Sequence, residues 1–179
     1  NADRITISDL VLEIDKNTGK IVKQIDVYKL FESIDKSFTD GIERDDYFYN
    51  SGIEYYEDTD TLLLTYWGGE MVVSIDYSDS KINWIFTNPD NLPSTFDSYL
   101  LKGDDGFVYP KAMHQAKLFG DTLKVLDNGY STIKNETDLS NLKGSYSSVN
   151  TYTITDKKIA LTNSYNDNKK YFSYALGDL

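Results

Sequence analysis

The sequence predicts an all-β protein, a set of four-stranded antiparallel blades forming part of a β-propeller. Three observations carry this. Gly52–Phe86, GIEYYEDTDTLLLTYWGGEMVVSIDYSDSKINWIF, reads as four short strands joined by three tight turns. Its runs are β-branched and aromatic, and its breaks are Gly, Asp and Ser, as hairpins require. Within it, Leu62, Leu64 and Tyr66 alternate with Leu63 and Trp67, so both faces of one strand are apolar. Such a strand is covered on both sides, as a blade stacked between similar blades is. Finally, the pattern recurs. VLEIDKNTGKIVKQI from Val11 and VVSIDYSDSKINWIF from Val72 share an apolar strand, Ile-Asp, a polar turn, Lys-Ile and a second strand. A third copy, NTYTITDKKIALTNSY from Asn150, keeps the outline. Recurrence at a regular spacing marks a repeat architecture.

Taken in order, Asn1–Ser8 is a lead-in. Leu10–Asp15 and Lys20–Val27 form a hairpin around Asn17-Thr18-Gly19. Tyr28–Lys36 predicts a short helix burying Leu30, Phe31 and Ile34. The four strands of the meander follow at Ile53–Glu57, Thr61–Trp67, Met71–Asp76 and Lys81–Phe86. Ser94–Leu101 predicts a second helix, with Pro93 before it and Ser94 as its N-cap. Lys102–Tyr109 is a Gly/Asp-rich loop. Ala112–Phe119 and Asp121–Asp127 form the inner hairpin of a further blade, and the third copy supplies its outer strands. A polar insertion at about 128–144 separates the two pairs, and Tyr171–Leu179 starts another blade. The expected content is one partial propeller domain over residues 1–179, about two and a half to three blades of six. Propellers need about four to eight to close. The remaining blades are therefore expected from elsewhere in the same protein or from a partner chain.

Composition narrows the function. The 179 residues are 40% hydrophobic and 26% charged, which suits one folded domain. A formal net charge of -11 argues against nucleic acid or an anionic membrane surface as partner. With no Cys, disulfide, thiol and zinc-thiolate chemistry are excluded. No apolar run approaches a membrane span, and no signal peptide opens the chain. The acidic clusters Asp45-Asp46, Glu57-Asp58-Asp60 and Asp104-Asp105 lack calcium-loop spacing and read as solvated turns. No metal or cofactor is expected. Gly68-Gly69 is too short for a phosphate cradle, and no Gly-x-Ser-x-Gly elbow accompanies the single histidine.

Several stretches together resemble the arylsulfate sulfotransferase family of bacterial six-bladed propellers. They are ITISDLVLEIDKNTGKIV, DYFYNSGIEYYEDTDTLLLTYWGGEMVVSIDYSDSKINWIF, MHQAKLF followed by LKVLDNG, and YSSVNTYTI, in family order over nearly the whole chain. The resemblance implies sulfuryl transfer from an aryl sulfate to a phenol through a sulfohistidine. The matching nucleophile is His114 in AMHQAK, and imidazole is nucleophilic when neutral near pH 7. It also implies a periplasmic or cell-surface location. Where the family carries a supporting histidine this chain has Tyr49, and where it carries an arginine this chain has Trp67. Each offers one neutral hydrogen bond in place of a fixed positive charge. Asn50 and Asn128 could present amides to a ligand, although Asp127-Asn128-Gly129 is equally a turn signal.

Each residue also has a plainer reading. His114 could be a structural histidine at a strand start, and Tyr49 and Trp67 could be packing aromatics. Two other functions stay open: a non-catalytic propeller binding an aromatic ligand or protein partner in its channel, and an ester hydrolase on the same scaffold.

Overall fold

A computed structural model of the chain describes residues 8–132, 142, 144–174 and 179. Among them the chain is all-β, with two four-stranded antiparallel sheets and one hairpin. The hairpin pairs β1 (Leu10–Ile14) with β2 (Ile21–Asp26). The first sheet is a meander of β3 (Asn50–Tyr56), β4 (Thr61–Tyr66), β5 (Met71–Asp76) and β6 (Lys81–Phe86). The second is a meander of β7 (Gln115–Phe119), β8 (Thr122–Asp127), β9 (Ser148–Thr155) and β10 (Lys158–Tyr165). The two sheets do not close on one another.

The repeated Ile-Asp-turn pattern has a physical cause. Asp15 Oδ1 accepts the amides of Asn17 and Thr18 at 2.9 and 2.8 Å, and Gly19 supplies the left-handed turn residue at φ +67°. Asp76 Oδ1 likewise accepts Asp79 N at 3.2 Å and the Ser78 hydroxyl at 2.6 Å. These bonds favour the charged form and hold both carboxyls below their ordinary range. In the third copy a two-residue turn replaces this device, with Asp156 itself at φ +54° and Lys158 opposite Thr155.

The helix expected at 28–36 is two helices, α1 (Val27–Ile34) and α2 (Lys36–Gly41). Asp35 divides them. Its backbone N–H closes α1 on the Phe31 carbonyl, and its side chain caps α2 by accepting Phe38 N at 3.0 Å. The second expected helix is a correction. Ser94–Phe96 is one 3-10 turn with no side-chain cap, because Pro93 stands at the cap position. Beyond it, Leu101 N donates to the Ile85 carbonyl at 2.9 Å, and Lys102 N donates to the Lys157 carbonyl at 3.0 Å. Residues 99–102 thus run beside β6 and reach β10, covering an outer edge of each sheet. Tyr171–Tyr174 forms no strand; Ser147 N donates to the Tyr171 carbonyl, and Ser173 N to the Ser147 hydroxyl. Most of the expected polar insertion lies outside the described residues.

Two cores flank the first sheet. Leu62, Leu64, Tyr66, Val73 and Ile75 pack against β2, α1 and the buried rings of Phe31, Phe48 and Phe96. Leu63, Val72 and Phe86 pack against Ala116, Leu123, Val125 and Tyr152 of the second sheet. Every residue of β4 is buried, as its two apolar faces predict. Burying a single Leu contributes about 1.5–3 kcal/mol, so this strand anchors both cores.

Candidate functional site

β3, β5, β7 and β9 begin, and β4, β6, β8 and β10 finish, at one end of the two sheets. The edge strands β3 and β7 lie side by side there. Gln115 Nε2 donates to Glu54 Oε1 at 3.4 Å, Leu118 N donates to the Tyr56 hydroxyl at 2.7 Å, and Ser51 Oγ donates to the Met113 carbonyl at 3.2 Å.

Of the two, β3 is irregular at this level. In β3 the register slips between Asn50 and Gly52. Just before β7, the His114 amide donates to the carbonyl of Leu126, the register partner of Gln115, at 3.1 Å. His114 is half-buried. Gly52 lets the strands approach, since a Cβ there would lie 3.3 Å from the His114 carbonyl oxygen.

The other four residues singled out in the sequence lie at the same end. Tyr49 is 48% exposed, and its carbonyl accepts Trp67 N at 3.3 Å. Asn50 is fixed by its backbone N–H, which donates to Asp9 Oδ2 at 2.8 Å, and it sits opposite Tyr66. Among the described residues, neither Asn50 Nδ2 nor the Tyr66 hydroxyl closes a hydrogen bond of good geometry. Asn128 follows β8, and its backbone N–H donates to the Lys111 carbonyl at 3.2 Å. Its side chain is fully buried, and neither amide atom has a partner among the described residues.

Trp67 is committed elsewhere. Its indole N–H donates to the Tyr130 hydroxyl at 3.1 Å, and that hydroxyl donates to the Tyr174 carbonyl. The Tyr130 ring stacks on Tyr174 at 5.1 Å, and burial pushes its phenol up to about 12. The Arg44 guanidinium lies 5.9 Å from the centre of the Trp67 ring. Arg44 is held by Asp46, from Nε and Nη2 at 2.9 and 2.8 Å, and by the Thr132 carbonyl. Thr132 in turn donates from its backbone N–H and hydroxyl to the buried Glu70 carboxylate. This Arg44–Asp46–Thr132–Glu70 network was not foreseen. It joins positions 62 to 88 residues apart, and no local pattern announces it.

Among the described residues no group of three or more His, Cys, Asp or Glu side chains is arranged to hold a metal. No helix among them is long and apolar enough to cross a membrane.

The arylsulfotransferase (ASST) family model matches residues 1–179, the whole of the sequence. This chain belongs to the arylsulfotransferase family. No curated protein matches it. Membership in the arylsulfotransferase family brings aryl sulfates and phenols as the substrate classes. It supports a sulfotransferase-like function at the level of the family.

Proposed function

We propose that this arylsulfotransferase-family chain contributes the catalytic histidine of a sulfuryl transferase, and that its sheets are blades of a larger propeller. The observation that carries this is the sole histidine of a family member, standing half-buried just before β7, where that strand runs beside β3. An imidazole nitrogen of His114 attacks the sulfur of an aryl sulfate. The N–S bond forms as the S–O bond to the ring breaks, and the phenolate leaves. A phenol then attacks the sulfur, the N–S bond breaks, and the imidazole recovers its electron pair. The proton lost by the acceptor balances the one taken up by the released phenolate.

The sulfuryl oxygens need donors as charge builds on them. Asn128 and Asn50 carry amide N–H groups that are unmet among the described residues, and Tyr49 has an exposed phenol. Trp67 contributes its ring face, since its N–H is spent on Tyr130. Arg44 supplies positive charge near that ring but is bonded to Asp46. Neutral donors stabilise an anion less than a free guanidinium does, so turnover should be slow. Losing one strong donor costs on the order of a hundredfold or more. The blades flanking these sheets come from the same protein or a partner chain, and the protein acts in the periplasm or at the cell surface.

The test is release of a coloured phenol from an aryl sulfate by the complete protein, with and without a phenol acceptor. Acceptor-dependent release that disappears in His114→Ala is the expected result. Release without acceptor points instead to a hydrolase. Absence of release, with phenols still bound, points to a non-catalytic aromatic-binding propeller.

A further inference from the structure

We propose that Asp127 is a positioning residue for His114: its carboxylate pins the stretch of chain that leads into the imidazole to the end of β8. The inference rests on the proposed role of His114, and Asp127 acts through the backbone rather than on substrate.

Asp127 is the last residue of β8 and is half-buried. One of its oxygens serves two segments at once. Oδ1 accepts Lys111 N at 3.0 Å and Gly129 N at 2.8 Å. Lys111 stands three residues before His114, and Gly129 follows Asn128. The other oxygen, Oδ2, accepts Asn150 Nδ2 at 3.2 Å from the neighbouring strand β9, which holds the carboxylate itself in place.

The two segments are also joined directly. Asn128 N donates to the Lys111 carbonyl at 3.2 Å, and His114 N donates to the Leu126 carbonyl at 3.1 Å. Between these ties lie only Ala112 and Met113, both fully buried. The Met113 carbonyl accepts the Ser51 hydroxyl of β3 at 3.2 Å. Ala112 is left-handed, at φ +45°. For a residue with a Cβ that conformation costs free energy and persists only where the surroundings impose it. The ties at Lys111 and His114 impose it here. The chain turns within two residues, so its angle of entry into β7, and with it the place of the His114 ring, depends on where Lys111 is pinned. Without the Asp127 carboxylate the Lys111 amide loses its acceptor and Ala112 can relax. The Gly129 amide loses its acceptor in the same change, which loosens the turn carrying Asn128.

The experiment compares Asp127→Asn, whose side-chain oxygen can still accept both amides, with Asp127→Ala, which accepts neither. It uses the complete protein, with folding checked by circular dichroism. One readout is the His114 Cε1–H signal in proton–carbon NMR, identified by its absence from His114→Gln. The other is phenol release from an aryl sulfate in the presence of a phenol acceptor. Asp127→Ala should shift or broaden the His114 signal and lower kcat by about tenfold to a hundredfold, with KM changed less than about twofold. Asp127→Asn should restore the wild-type signal and recover kcat to within about fivefold. A purely structural part for Asp127 would lower the unfolding midpoint and leave the signal of folded His114 where it was. Should Asp127→Ala not fold, Asp127→Ser, whose shorter side chain meets one amide at most, takes its place with the same losses expected. A wild type that releases no phenol sinks the transferase reading alone, and the NMR comparison then decides this one. The proposal is overturned if the His114 signal survives the loss of the carboxylate unchanged, if Asp127→Asn disturbs it as much as Asp127→Ala does, or if kcat of an active wild type is indifferent to Asp127→Ala.

Discussion

Four aspartates of this chain are displaced in opposite senses, and the sign follows from what each side chain meets. Asp15, Asp35 and Asp76 accept hydrogen bonds in solvent-exposed turns and caps, and these hold their carboxyls below the ordinary value. Their contribution to stability is complete above the unfolded value, about 3.9, and is lost as pH falls through the lower folded values. Asp127 is pushed up, first by burial, with its own backbone hydrogen bonds opposing and the Glu70 charge adding to the rise. Lowering the pH through its folded value therefore favours the fold until the unfolded value is reached. Carboxyl-carbon NMR titration should show midpoints below 3.9 for the first three and above it for Asp127. Sterics at Gly68 are equally directional. A Cβ there would fall 2.0 Å from the Asp46 carbonyl oxygen, and that backbone belongs to the segment carrying Arg44. Gly68→Ala should cost about 3 kcal/mol, read as a lower urea midpoint at unchanged slope.

At the scale of the element, β4 is decisive because its side chains serve two cores. Leu63 faces the second sheet, while Leu62 and Leu64 face the helices. Leu63→Ala should lose about 2–5 kcal/mol in equilibrium unfolding. The strands were legible in the sequence because each run is short, apolar and bounded by turn residues, and because alternation assigned Leu62, Leu64 and Tyr66 to one face and Leu63 to the other. The helices were less so. Asp35 reads as one more polar position in an amphipathic run, yet its side chain both ends that run and starts another. Ser94 after Pro93 has the letters of a cap, but the segment is taken up by pairing along β6 instead of by a helix. His114 could be singled out as the only imidazole, but not its backbone hydrogen bond to Leu126, which needs the pairing of β7 with β8. The Glu70–Thr132 contact was illegible for the same reason: it exists only once distant loops meet.

For the whole molecule, the outward face of the β1–β2 hairpin matters most. Ile14, Ile21 and Val22 are each more than half exposed, and Leu12 is 42% exposed. An apolar surface of this kind on a strand pair invites association. The isolated chain should show concentration-dependent self-association in light scattering, and Ile14→Lys with Ile21→Lys should reduce it; a strictly monomeric wild type would contradict the expectation. The stretch 99–102 sets a different limit on the two large sheets. Neighbouring amides at Leu101 and Lys102 are bound to the Ile85 carbonyl in β6 and to the Lys157 carbonyl in the turn joining β9 to β10. A sliding displacement of one sheet past the other would shear both bonds at once. The pair should therefore tolerate bending about this seam far better than slip along it, so that any ligand wedged between them would open the gap like a book and leave the pages in step.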